Sequence, residues 1–137
     1  MQPLSLLLVE DHRDTADVLS LVLRKLNYDV TAANGYQSAL DKARARRFDL
    51  LLTDIGLPDG DGCELLAELR ELYPIDGIAI SGYGMPQDIE RCLVAGFVTH
   101  LVKPVEIALL KDVIEHASRL RSEPPDPESV SQIANPS

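Results

Sequence analysis

Five polar residues of this 137-residue chain stand where apolar runs stop. Glu10 and Asp11 follow residues 4–9, Asp54 follows 50–53, Ser81 follows 78–80 and Lys103 follows 97–102. A carboxylate at the end of an apolar segment is costly to bury unless something takes its charge. Three carboxylates brought together repel one another, and a hard divalent cation relieves the conflict. Mg²⁺ accepts oxygen ligands and binds one or two carboxylates together with a phosphate oxygen. A carboxylate is also a nucleophile that can form an acyl phosphate. Phosphoryl transfer asks chiefly for positioning and charge neutralisation, here from a metal on one side and an amine on the other. On this reading Asp54 is the nucleophile, with Glu10 and Asp11 beside it around Mg²⁺. The Gly56 carbonyl offers the metal another ligand, Ser81 bonds a phosphoryl oxygen, and Lys103 pairs with the acids or with an arriving anion.

The elements that must position these residues follow from hydrophobic periodicity. Residues 4–9, 50–53, 78–80 and 97–102 read as short buried strands, and 28–33 as a weaker edge strand. Helical spacing marks 13–26 through Leu19, Val22, Leu23 and Leu26, and 36–47 through Ala39, Leu40 and Ala43. A third helix carries Leu65, Leu66, Leu69 and Leu72 and is closed by Pro74. The fourth, 87–95, has Ile89, Cys92 and Leu93 as its inner face and Gly96 as its cap. The last, 106–120, has Ile107, Leu110, Val113, Ile114 and Ala117 on one side. Five strands alternating with five helices predict an α/β, flavodoxin-like, doubly wound parallel sheet of order 2-1-3-4-5. In such a sheet all the polar strand ends fall on one edge, where ligands bind. Residues 122–137 contain four prolines, three acids and no apolar period, so they read as a disordered acidic tail after a domain spanning 1–121.

Composition narrows the function classes. A net charge of −9 and the absence of Trp argue against a nucleic-acid surface. No apolar run is long enough to span a membrane, and no leader pattern opens the chain, so the expectation is a cytoplasmic protein. Cys63 and Cys92 lack metal-ligand spacing and read as buried or semi-buried thiols. Lys42, Arg44, Arg46 and Arg47 read as a solvated helix face. Asp59 and Asp61, each before Gly, read as turn and cap residues. His12 and His116 read as solvated. A flavin is disfavoured by the missing phosphate loop after the first strand and the few aromatics.

Glu10-Asp11, the run from Asp54 to Gly62 (Asp-Ile-Gly-Leu-Pro-Asp-Gly-Asp-Gly), Ser81-Gly82 and Lys103-Pro104 together resemble the response-regulator receiver domain of two-component signalling. The resemblance spans residues 4–120, and its motifs come in order at successive strand ends. It implies that Asp54 is the phosphoacceptor, served by a phosphohistidine on a histidine kinase or histidine phosphotransfer protein. It implies direct Mg²⁺ ligation by Asp11, Asp54 and the Gly56 carbonyl, with Glu10 acting mainly through water. Ser81 and Lys103 would bind phosphoryl oxygens, the Lys103-Pro104 bond would be cis, and residues 87–120 would form the face for a downstream partner. The texture around Ile80 to Gly84 and Ala95 to Phe97 is similar to receivers of hybrid histidine kinases. Two positions depart from the pattern. His100 stands where the family carries Tyr or Phe as the switch partner of Ser81, and Gly56 stands where many relatives carry a side chain. Two other readings compete: an unphosphorylated pseudo-receiver, and a phosphatase forming an aspartyl phosphate. The first has no need of clustered acids, and the second lacks an acid two residues after Asp54.

Overall fold

The computed structural model describes residues 3–82 and 86–122. The expected tail lies outside that range except for its first residue, Ser122, which the last helix includes. Among the described residues, seven strands and five helices follow in order: β1 Ser5–Val9, α1 Arg13–Lys25, β2 Asp29–Ala33, α2 Tyr36–Ala45, β3 Leu50–Asp54, β4 Gly56–Leu57, β5 Gly60–Asp61, α3 Gly62–Leu72, β6 Asp76–Ser81, α4 Pro86–Ala95, β7 Thr99–Val102 and α5 Ile107–Ser122. Five of the strands form one sheet of order β2-β1-β3-β6-β7, every pairing parallel. This is the expected flavodoxin-like arrangement. The difference is a two-residue antiparallel hairpin, β4 with β5, inside the stretch expected to be loop.

Side chains alternate across a strand, and here the alternation builds two cores. Leu7, Val9, Leu51 and Ala79 pack with α2 and α3 through Ala39, Leu40, Leu65 and Leu69. Leu6, Leu8, Leu50, Leu52, Ile78 and Ile80 pack with α1 and α5 through Leu19, Leu23, Leu110 and Ile114. The central strands are therefore apolar on both faces, as a covered parallel sheet requires.

The helix ends have local causes. Asn27, with φ 71°, stands just past α1, and the Tyr28 N–H donates back to the Leu23 carbonyl at 3.1 Å. Asn is one of the few residues that enters that left-handed region at low cost. The expected inner face of α4 is corrected. Cys92 alone is buried, whereas Leu93 is 59 % exposed. A ten-residue helix lying against a two-layer edge has room to bury only a narrow stripe, so helical spacing overstated the buried face. Ile107 of α5 is likewise exposed.

Candidate functional site

Strand register decides which acids meet. Val9 pairs with Thr53 across β1 and β3, so the next residues along, Glu10 and Asp54, leave the sheet side by side. Both share the parity of the leucines that face α1 and α5, which aims them to the same side. The hydrogen-bond ladder continues beyond the strands and holds these positions. Glu10 N–H donates to the Ala33 carbonyl at 3.0 Å, Ile55 N–H to that of Ile80 at 3.0 Å, and Lys103 N–H to that of Ser81 at 2.8 Å. The buried Thr53 hydroxyl donates to the Asp54 carbonyl at 2.9 Å. Gly62 opens α3 so close beneath this strand end that a Cβ there would collide with the Asp54 carbonyl oxygen. The Lys103-Pro104 peptide is cis.

Lys103 joins the acids. Its Nζ donates to both Glu10 oxygens at 3.1 Å and to Asp54 Oδ2 at 3.1 Å. Asp54 Oδ1 lies 3.0 Å from the same nitrogen, yet it is buried and accepts no hydrogen bond among the described residues. Glu10 and Asp54 are 2 % and 5 % exposed. Burial, reinforced by the adjacent Glu10 carboxylate, pushes the Asp54 carboxyl up to about 8. Burial also works to raise Glu10, but hydrogen bonds from Asp54 and Lys103 outweigh it and hold Glu10 low. Lys103, desolvated in turn, is held above its usual value by the same two acids. At neutral pH the two carboxyls thus keep one proton between them, and one ammonium balances one carboxylate.

Beside this cluster lies an open cavity of about 400 Å³ lined by Asp11, Asp54, Gly56, Ser81 and Lys103, and also by Asp61, Asp88 and Arg91. The expected residues therefore come together around one space, except that Glu10 faces Lys103 behind it. Asp11 is exposed, and nothing lies within 4 Å of where a Gly56 side chain would begin. The carboxylates of Glu10 and Asp11 and the His12 ring bring ligand atoms within 4.8 Å of one another. An orphaned buried carboxylate oxygen beside an exposed acid and an open backbone position fits a hard cation. His12 has a second tie, its N–H donating to Glu10 Oε1 at 3.3 Å.

Two comparisons decide the family. Residues 6–115 match the profile of the response regulator receiver domain. The chain belongs to that family. It is 32 % identical to the response regulator protein PilR of Pseudomonas aeruginosa over 117 residues, covering 85 % of this chain and 26 % of that protein. A CheY-like receiver domain protein from Methanospirillum hungatei superimposes with TM-score 0.80 at 30 % identity, covering 89 % of this chain and 99 % of that one. The receiver domain of yeast Ssk1, crystallised with the histidine phosphotransfer protein Ypd1, shares the fold with TM-score 0.81 at 21 % identity, covering 89 % and 93 %. The chain spans about a fifth to a quarter of the length of the first curated relatives it matches.

The receiver's remaining candidate, His100, lies opposite Ala79 in the β6–β7 register. It is half-buried, and its Nε2 is enclosed without a hydrogen bond among the described residues. Asp61 caps α3 by accepting from the Cys63 N–H at 2.7 Å, as expected of it. Asp59 caps a different helix, accepting from the Tyr36 and Gln37 N–H groups of α2 at 2.7 and 3.1 Å. Sequence reasoning missed Arg91, which lines the same cavity and whose Nη2 meets Asp61 Oδ2 at 2.6 Å. A mid-helix Arg carries no local signal of such a role. No helix among the described residues is long and apolar enough to cross a membrane.

Proposed function

We propose that this receiver is the phosphoacceptor of a cytoplasmic phosphorelay, with Asp54 as the modified residue. One observation carries the reading: Lys103 Nζ stands 3.0 Å from an Asp54 oxygen that takes no hydrogen bond among the described residues, at the wall of an open cavity. The donor is a phosphohistidine of a histidine kinase or histidine phosphotransfer protein. An Asp54 oxygen forms the new O–P bond as the N–P bond breaks, and its electron pair leaves with the donor imidazole. Asp54 must first release the proton it shares with Glu10. Lys103 follows the developing charge on the phosphoryl oxygens, and Ser81 bonds one of them. Glu10 keeps Lys103 aimed from behind. Asp11, Asp54 and the Gly56 carbonyl would hold Mg²⁺, which when bound would supply Lewis-acid neutralisation of the same oxygens. The chain turns over no external substrate. It passes the signal on by a change of surface.

That surface is α4, β7 and α5, where Leu93, Val94 and Val102 are exposed to solvent. His100 sits under it and, with Ser81, forms the switch. An unpartnered enclosed nitrogen is readily exchanged for another position once Ser81 turns toward a phosphoryl oxygen.

Intact-mass spectrometry after incubation with Mg²⁺ and acetyl phosphate tests the reading. One phosphoryl is expected on the wild type, and none on D54N or in the presence of a chelator. A wild type that binds Mg²⁺ yet neither gains the phosphoryl nor binds beryllofluoride refutes it.

A further inference from the structure

Lys103 is not alone as a cation at the cavity. Arg91, on the exposed side of α4, lines the same space as Asp54, Ser81 and Lys103. At present it is held by Asp61, which lines the same cavity, at 2.6 Å. The two partners differ in freedom. Asp61 is pinned because its other oxygen caps α3 through the Cys63 N–H, whereas Arg91 is a long side chain about half exposed. We infer that Arg91 is a second phosphoryl-binding cation of this site, which Asp61 holds in reserve until Asp54 is modified.

The inference rests on the phosphoacceptor reading and deepens it. Lys103 is already divided between two carboxylates. An acyl phosphate at Asp54 brings a group of roughly −2 charge with three acceptor oxygens into the cavity. A guanidinium binds such a group in bidentate fashion more strongly than it binds the one oxygen of Asp61 that it meets now. Arg91 therefore leaves Asp61 for the phosphoryl group. Because Arg91 belongs to α4 and Asp61 to the start of α3, the same movement unties α4 from its neighbour. Charge arrival at the cavity is thereby coupled to the face that a partner reads.

The test is the affinity for beryllofluoride, a phosphoryl mimic, in Mg²⁺ at fixed ionic strength, followed by ¹⁹F NMR. The wild type is compared with R91A, R91K, D61N and the double variant R91A/D61N. Asn is as good an N-cap as Asp, so D61N keeps α3, and circular dichroism checks each fold. R91A is expected to weaken binding about 5-fold, and R91K to restore part of it. D61N is expected to tighten binding about 3-fold, by freeing Arg91. In the double variant the benefit of D61N disappears, because Asp61 acts only through Arg91. A plain structural tie moves R91A and D61N in the same direction. A simple field effect makes them opposite but additive. Either result, or unchanged affinity in all variants, overturns the inference. A wild type that binds no beryllofluoride fails the phosphoacceptor reading itself, which separates the two failures.

Discussion

Replacing Asp54 by Asn should make the metal-free protein more stable, and the sign follows from its carboxyl. The folded chain holds this group near 8 against an ordinary 3.8. Between those values the folded chain keeps a proton that the unfolded chain has released. Wild-type stability therefore falls as pH rises through that window, by up to about 1.4 kcal/mol per pH unit. At pH 7 the whole penalty is bounded at about 4 kcal/mol, from roughly three units at 1.36 kcal/mol each. The amide of D54N still donates to Glu10 and accepts from Lys103, but it is a weaker donor than the protonated carboxyl it replaces. That loss offsets about half, leaving a net gain of about 2 kcal/mol. For a domain of this size the melting temperature rises by about 5–10 °C. Urea unfolding followed by far-ultraviolet circular dichroism, in chelator at pH 5, 6, 7 and 8, measures it. The advantage of D54N should widen from pH 5 to pH 8. A difference flat across that range, or a D54N less stable than the wild type at pH 8, would refute the assignment of a raised Asp54.

Four further outcomes are expected. K103M leaves Glu10 buried without its cation and should cost about 3 kcal/mol at pH 7 in urea unfolding. Glu10, no longer held low, then gains a raised value, so the loss shrinks toward pH 5 and grows with rising pH. G62A drives a methyl group into the Asp54 carbonyl; a loss of about 2 kcal/mol is expected, with weaker Mg²⁺ binding as the strand end shifts. Mg²⁺ affinity, read by titration calorimetry, should rise with pH up to about 8, because the cation displaces the proton on Asp54. D11N should lower that affinity at least about 10-fold while leaving the urea midpoint nearly unchanged, since Asp11 is exposed.

Much of the site was legible because strands are local objects. A run such as residues 50–53 names its own end, and period-two alternation states which face the next residue takes. Alternating elements with right-handed crossovers then place Glu10, Asp54, Ser81 and Lys103 on one edge of one sheet. The hairpin of β4 and β5 was not legible. Its two pairs depend on how α3 begins beneath β3, through the Gly62 N–H donating to the Ile55 carbonyl at 2.7 Å. The face of α4 was misread because spacing alone says which residues share a side, not how much of that side its neighbours cover.

What the amino-acid sequence determined by itself was the order of the sheet and the residues delivered to its carboxyl edge. Only the tertiary structure decided how their charge is shared. It put both Glu10 oxygens on Lys103, left Asp54 Oδ1 without a hydrogen bond, and set Arg91 against Asp61. The physical reason is range. Strand periodicity is written in neighbouring residues, whereas a buried charge is settled by whichever groups 30 to 93 positions away arrive within 3.1 Å.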